Sequence, residues 1–254
     1  MFATIKLRTI KIVISFCLIA SVMAINFGNG KLASVYLGSA LREIPIYNVD
    51  TSEKKIAISF DAAWGADKTQ KIMDILKEYS CDATFFLVGF WVEDYPEMAK
   101  KIADNGFEIG THSNTHPDLT KLDVSQIEKE LKQSVDTIKL ITGYTPKLFR
   151  APYGAYNDTV IKSARLLGLT TIQWDVDSLD WKGINQSEIY NRVTTKAKNG
   201  SIILCHNNAD YICDALPSIL VKLKNDGYQF VRISNLIYQD NYHINNNGTQ
   251  TINI

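Results

Sequence analysis

The chain has 254 residues, of which 46% are hydrophobic and 21% are charged, which suits one globular domain with a sizeable core. Lysine plus arginine and aspartate plus glutamate each total 27, so the formal net charge is zero. This charge balance excludes the basic footprint of a nucleic-acid binder, and the sequence indicates no protein partner.

The first thirty residues are typical of a targeting segment. Three basic residues, Lys6, Arg8 and Lys11, precede an apolar run over residues 12–27. The cleavage site near Ala24 is poor, so residues 1–30 are either a signal peptide or an uncleaved N-terminal membrane anchor. Both alternatives predict an exported, extracytoplasmic domain, secreted or held at the membrane.

Residues 31–53 are predicted to be a connector and a first strand at 44–49, where Pro45 suits an edge position. Short apolar runs rich in β-branched and aromatic residues then alternate with segments of helical periodicity. The predicted strands are 55–61, 83–88, 108–110, 148–150, 170–174, 201–205 and 229–233. The predicted helices are 67–79, 96–105, 124–141, 158–167, 186–197 and 215–225.

This alternation predicts an α/β fold with a parallel sheet. About seven repeats leave two architectures open, a closed barrel and a doubly wound sheet. The repeats fill residues 54–240, and the polar, asparagine-rich residues 241–254 are predicted to form a loose C-terminal tail.

The four cysteines do not indicate a disulfide framework, because none has CxxC spacing and Cys17 lies in the apolar N-terminal segment. Cys205 and Cys213 could pair, but buried free thiols are the preferred interpretation for these two and for Cys81.

Candidate functional residues fall just after predicted strands. They comprise three of the four histidines, two acids and one arginine: His112, His116, His206, Asp61, Asp175 and Arg150. The carboxyl ends of the strands of a βα barrel share one face, so we expect these side chains to converge on one cleft.

Each candidate also has a simpler interpretation. Two histidines four residues apart, His112 and His116, can hold one divalent ion, although such a pair alone is weak support for a metal site. Asp61 can act as a base or ligand, or only cap the next helix. Arg150 can orient a carboxylate or form a structural salt bridge. A lone His206 is more often structural, but beside a carboxylate it becomes a candidate acid.

Five motifs occur in a fixed order: Ser59-Phe60-Asp61, His112-x3-His116, Arg150-x-Pro152-Tyr153-Gly154, Asp177-x-x-Asp180-Trp181 and Leu204-x-His206. Together they resemble the motifs of the polysaccharide deacetylases, the carbohydrate esterase family four or NodB-homology domains. The form Phe60-Asp-Ala-Ala-Trp-Gly65 is similar to the sporulation-type subgroup. The resemblance covers residues 54–240 and implies a distorted (β/α)7-8 barrel in a single domain.

The resemblance also implies a chemistry, the removal of acetyl groups from N-acetylated sugars with the help of a divalent metal such as zinc. His112 and His116 would hold the metal and Asp61 would take a proton from water. His206 would protonate the departing amine, kept charged by an acid of the stretch 175–180, with Asp177 the candidate. Arg150 would steady Asp61.

The remaining motif residues would bind the substrate. The backbone N–H of Tyr153 would stabilise the oxyanion. Trp181 and Leu204 would wall the acetyl pocket, and Trp64 and Pro152 are further substrate-binding candidates.

The first motif departs from the family pattern at one position. The family has a second, metal-binding aspartate where this chain has Ala62, and alanine cannot bind a metal. Three outcomes are open: Asp61 becomes a ligand, Asp67 or Asp118 substitutes, or metal binding is weak or absent.

The leading hypothesis is a hydrolase that removes N-acetyl groups from peptidoglycan of the cell wall or spore. The alternative is a weak or inactive glycan-binding pseudoenzyme with a role in spore envelope assembly, motivated by Ala62. Amide hydrolysis on a non-sugar substrate is a third possibility.

Overall fold

The predicted alternation of strands and helices is present in the computed structural model, which describes residues 42–253. The strands are β1 (Asn48–Val49), β2 (Lys55–Ala62), β3 (Thr84–Leu87), β4 (Glu108–Thr111), β5 (Leu148–Phe149), β6 (Thr170–Thr171), β7 (Val176–Asp177), β8 (Ile202–His206), β9 (Gln229–Phe230), β10 (Tyr242–Ile244) and β11 (Thr249–Ile252). The helices are α1 (Thr69–Glu78), α2 (Gly89–Asp94), α3 (Pro96–Asp104), α4 (Val124–Thr142), α5 (Asp158–Leu166), α6 (Gln186–Lys196), α7 (Ile212–Asn225) and α8 (Ile233–Leu236). Short 3-10 turns occur at Leu119–Lys121, Pro152–Gly154 and Asp180–Lys182.

The N-terminal expectations, namely the targeting segment, most of the connector and Cys17, lie outside the described residues. Within residues 42–253, no helix is both long enough and apolar enough to cross a membrane.

The main sheet is parallel and curled. Its strands run in the order β6-β5-β4-β3-β2-β8-β7, and β9 pairs with the start of β2. The two edge strands, β6 and β7, are joined by only residues 172–175, which limits their separation to about 17 Å. This short connection brings the edges towards each other, so the fold is the distorted barrel and not a doubly wound open sheet.

The segment before β2 lies across the opening between the sheet edges. The backbone N–H of Gln173 donates to Ile46 O at 2.7 Å on one side, and the N–H of Val49 donates to Gly200 O at 2.9 Å on the other. Of the predicted first strand at 44–49, Ile46 forms a single bridge with Ile172 and only β1 is regular strand. The regular part is short because this segment contacts the two sheet edges in turn.

The hydrophobic core has two layers, separated by the sheet. In β2, Ile56, Ile58 and Phe60 pack with the helices outside the barrel, while Ala57 packs inside it. Side chains alternate along a strand, so Ser59 and Asp61 are also directed inward. The polar residues of the predicted site thus come from the inward face.

The prediction of a loose C-terminal tail is wrong. Strands β10 and β11 form an antiparallel pair, and β11 pairs in parallel with β1. Gln250 is completely buried, where its side chain accepts from Tyr238 N at 2.9 Å and donates to Tyr238 O at 2.7 Å. Polar composition did not prevent order here, because these groups are satisfied by backbone partners.

Three short elements, α2, β7 and α8, were not predicted, since six, two and four residues are too few for a periodic pattern. The preferred interpretation of the cysteines is confirmed: Cys81, Cys205 and Cys213 are buried free thiols.

Candidate active site

The carboxyl ends of β2, β7 and β8 and the loops after β4 and β5 border one cavity of about 670 Å³. Most of the site residues predicted from the sequence line it: Asp61, Trp64, His112, His116, Tyr153, Asp177, Trp181, Leu204 and His206. This convergence follows from the shared direction of the parallel strands. Three predicted residues, Arg150, Pro152 and Asp175, do not line the cavity. Arg150 and Pro152 are buried, and the Asp175 carboxylate accepts from the Ser201 hydroxyl at 3.0 Å and from Ile202 N at 2.9 Å.

Arg150 lies beneath the cavity, inside the barrel, with no exposed surface. Its Nη1 donates to Asp61 Oδ1 at 2.7 Å and to Ser59 Oγ at 2.9 Å, and its Nη2 donates to Gln173 O at 3.1 Å. The planar guanidinium therefore fixes Asp61 from below. The predicted role of Arg150 in steadying Asp61 is consistent with this direct hydrogen bond.

The Arg150 guanidinium also lies over the Phe86 ring, 4.1 Å from its centroid. That ring needs a glycine beside it, because a Cβ at Gly110 would lie 2.5 Å from two Phe86 ring carbons. Gly110 therefore allows the aromatic support of Arg150 to sit where it does.

Burial by itself raises the pKa of Asp61, but the charge and hydrogen bond of Arg150, together with the nearby His112 and His206, outweigh it. The pKa of Asp61 therefore lies below its ordinary value, and the carboxylate is ionised at neutral pH. Its Oδ2 faces His112 Nε2 at 3.5 Å.

His112 is buried and its tautomer is set by the backbone. Its Nδ1 lies 2.7 Å from Arg150 O, and a carbonyl can only accept, so Nδ1 carries the proton and Nε2 has the lone pair. Burial lowers the pKa of His112, although Asp61 acts in the opposite direction. The neutral ring presents Nε2 towards Asp61.

His116 stands beside His112, with ring centroids 5.0 Å apart. Its Nδ1 is buried and has no hydrogen-bond partner. Burial, with the neighbouring His112, lowers the pKa of His116 to about 4, so this ring is neutral at pH 7. Aromatic rings of Trp64 and Tyr153 flank it at 4.9 and 4.7 Å.

Across the cavity, His206 is bound by Asp180. Asp180 Oδ1 lies 2.8 Å from His206 Nδ1, and Oδ2 accepts from the His206 backbone N–H at 2.8 Å. The acid beside His206 is therefore Asp180 and not the candidate Asp177. Asp177 lines the same cavity, but its Oδ1 accepts from Leu179 N at 2.8 Å, because the chain turns sharply there, with Leu179 at φ 54°.

Burial by itself lowers the pKa of His206, but the hydrogen bond and charge of Asp180 outweigh it, with smaller help from Asp61 and Asp177. The pKa of His206 is therefore raised above its ordinary value. Asp61 and His206 are also paired positions of the neighbouring parallel strands β2 and β8. A carboxylate and a histidine of high pKa thus stand side by side.

Exposed aromatic side chains border the cavity. Tyr153, Trp181 and Trp64 have exposed fractions of 70%, 58% and 56%. Tyr153 has a φ of 60°, which a residue with a Cβ adopts only when its surroundings hold it there. Leu204 lies in the cavity wall and is buried.

Within residues 42–253, no group of three or more His, Cys, Asp or Glu side chains is arranged to hold a metal ion. Neither Asp67 nor Asp118 lines the cavity, and Asp118 Oδ1 is bound by the Thr120 backbone and hydroxyl. Ala62 is completely buried, and its neighbour Ala63 lines the cavity instead. The residues present therefore do not form the three-ligand site that the resemblance implies.

The chain was compared with known proteins. The family model for polysaccharide deacetylase matches residues 48–172. The uncharacterized protein YlxY of Bacillus subtilis strain 168 is 35% identical over 204 residues, covering 80% of this chain and 63% of its own length. The peptidoglycan-N-acetylmuramic acid deacetylase PdaA of the same strain is 35% identical over 197 residues, covering 76% of this chain and 75% of its own.

Among solved structures, BA3943 of Bacillus anthracis, described as a CE4 family pseudoenzyme, superposes with a TM-score of 0.74. It is 34% identical to this chain, and the match covers 78% of this chain and 70% of the solved one. The chain thus spans less than two thirds of YlxY but most of PdaA and BA3943.

The buried ion pair leads to a stability prediction. We expect Arg150→Met to lower the free energy of unfolding by about 3–5 kcal/mol, because Asp61 would remain buried without its partner. Arg165→Met is the matched control, since Arg165 pairs with Glu43 at the surface and its loss should cost about 0–1 kcal/mol. Urea denaturation at pH 7 measures both. Equal losses for the two variants would contradict this account of the site.

Proposed function

Because the chain belongs to the polysaccharide deacetylase family, we propose that it removes N-acetyl groups from the amino sugars of peptidoglycan. One observation carries the proposal: Asp61 and His206 occupy paired positions of β2 and β8 at the cavity. Each has a buried partner that sets its charge, Arg150 for Asp61 and Asp180 for His206. General acid–base catalysis of amide hydrolysis uses an ionised group that accepts a proton and a protonated group that donates one.

In the proposed reaction, ionised Asp61 accepts a proton from the attacking water as the new C–O bond forms. Protonated His206 then donates a proton to the sugar nitrogen as the C–N bond breaks, which leaves acetate and a free amine. The Tyr153 backbone N–H, at the cavity edge, is proposed to stabilise the oxyanion between these steps.

The substrate class follows from the walls of the cavity and from the relatives. Trp64 and Trp181 offer exposed aromatic faces that suit the apolar face of a sugar ring. PdaA is a peptidoglycan-N-acetylmuramic acid deacetylase by name. Export of the domain, attachment to a membrane by residues 1–30 and a role in sporulation remain proposals that rest on the sequence.

A second candidate function is a glycan-binding pseudoenzyme with a role in spore envelope assembly. It is favoured by Ala62 and by the similarity to BA3943. A BA3943 mutant is described as having restored enzymatic activity, and it is 35% identical to this chain. The proposals differ in one measurable respect, because only the deacetylase releases acetate.

The main test is acetate release from peptidoglycan oligomers. We expect Asp61→Asn and His206→Ala each to reduce kcat/KM by about 100-fold or more, because each removes one proton-transfer group. His243→Ala is the matched control, since His243 is exposed on strand β10, away from the cavity lining. Glycan binding by a wild-type protein that releases no acetate, with both variants binding equally well, would establish the pseudoenzyme instead.

The His206–Asp180 pair predicts a pH dependence. His206 acts as an acid only while protonated, so the rate should fall as pH rises through its pKa. Asp180→Asn removes the charge that raises this pKa, and burial then lowers it, so the fall should move to lower pH. A profile of kcat/KM against pH measures the shift. Asp177→Asn should give a smaller shift, and an equal shift would mean that contact with His206 is not what matters.

The alanine in the first motif leads to a gain-of-function prediction. Ala62 follows Asp61 in β2 and is completely buried, so an aspartate there without a metal should lower Tm. We expect zinc to restore the Tm of Ala62→Asp, and zinc affinity to rise about tenfold or more over wild type.

Ala66→Asp is the control, because Ala66 does not line the cavity, and it should leave zinc affinity as it is in the wild type. Equilibrium dialysis and thermal denaturation measure both variants. If Ala62→Asp does not change zinc affinity, position 62 does not face the two histidines. If acetate release occurs only in Ala62→Asp, the native chain is the pseudoenzyme.

A further inference from the structure

The loop from His112 to His116 has an unusual backbone. Two of its residues, Ser113 and His116, have positive φ values of 70° and 58°, a region that favours glycine. This bend places the rings of His112 and His116 5.0 Å apart on the same side of the loop. Residues with a Cβ keep such a conformation only where the surrounding structure holds them.

One side chain from outside the loop holds its backbone amides. Glu130 Oε2 accepts from the N–H groups of Asn114 at 2.9 Å and Thr115 at 2.8 Å, and its Oε1 accepts from Thr115 Oγ1 at 2.7 Å. Hydrogen bonds to an ionised carboxylate are stronger than those between neutral groups. The centre of the histidine loop is thus bound by three bonds to a single residue.

The helix that carries Glu130 is fixed to the adjoining strand. Ser134 lies one turn after Glu130 on α4, and its Oγ is 2.6 Å from Thr111 Oγ1 at the end of β4. Residues four apart on a helix lie on the same side, so Glu130 and Ser134 contact β4 and its loop together. The buried Leu131 holds this part of α4 in the core.

The loop is bound from its other side by the start of α2. The N–H groups of Gly89 and Phe90 donate to Ser113 O at 2.9 Å and Asn114 O at 3.0 Å. These are N–H groups at a helix start, which have no partners within the helix. A Cβ at Gly89 would collide with the Asn114 side-chain oxygen, so this approach requires glycine.

We propose that Glu130 is a positioning residue for the site: it sets the placement of His116 and His112 through the loop backbone, without touching the substrate. The sequence motifs do not contain it, and it lies in a helix 14 residues beyond His116. This inference rests on the proposed function for its kinetic consequence but not for its structural one.

The test uses Glu130→Ala, Glu130→Gln and the control Glu128→Ala in the full chain. Glutamine retains an oxygen that can accept both N–H groups, whereas alanine retains none. Glu128 lies two residues earlier on α4, so it points to another side of the helix. Hydrogen exchange at the Asn114 and Thr115 amides should be faster in Glu130→Ala than in wild type, Glu130→Gln or Glu128→Ala.

The kinetic measurement separates positioning from general stability. We expect Glu130→Ala to reduce kcat for acetate release by about 10- to 100-fold, with little change in KM, because a small displacement of site residues is enough for such a loss. Glu130→Gln should recover most of this rate. A folded Glu130→Ala with wild-type kcat, or with wild-type exchange in the loop, would overturn the proposal.

The two proposals fail in different ways. If the wild-type chain releases no acetate, the deacetylase proposal fails, and the exchange measurement then decides the role of Glu130 alone. If the wild type is active and Glu130→Gln is as impaired as Glu130→Ala, the negative charge matters rather than the loop position, and the positioning role is wrong.

Discussion

The ion pair between Arg150 and Asp61 is the interaction on which the rest of the site depends. Arg150 is completely buried, and its guanidinium binds Asp61, Ser59 and the backbone of Gln173. A buried charge is tolerated only where it is paired and hydrogen-bonded. These contacts join β2 to the segment after β6, so they fix the base and hold the curled sheet together.

The histidines are placed relative to this pair by the same residue. The backbone carbonyl of Arg150 binds His112 Nδ1, so one residue fixes both the carboxylate and the tautomer of the first histidine. His206 is set independently by Asp180, from the 3-10 turn after β7. Register between β2 and β8 then brings Asp61 and His206 together. Asp61 and His206 are therefore held on strands, whereas His112, His116 and Tyr153 lie in the segments after β4 and β5.

Sequence patterns predicted the main elements well where side-chain periodicity was strong. The helices have such a pattern because one face of each packs in the core, and the long strand β2 is an apolar run because both of its faces are buried. The C-terminal pair β10 and β11 does not, because its polar side chains are satisfied by backbone groups distant in sequence, as at Gln250. The composition of a segment does not indicate which distant backbone groups will bind its side chains.

The sequence by itself determined which chemical groups are present, that they follow strands, and that Ala62 removes one carboxylate. Because parallel strands end on the same face of the barrel, residues that follow them in the sequence lie close together in the fold. The site residues His112, His116, Asp61 and His206 were therefore identified without coordinates. Only the tertiary structure decided that Asp180, and not Asp177, pairs with His206, and that Glu130 holds the histidine loop. Those choices depend on backbone turns at Leu179, Ser113 and His116, whose direction is set by long-range packing and hydrogen bonds.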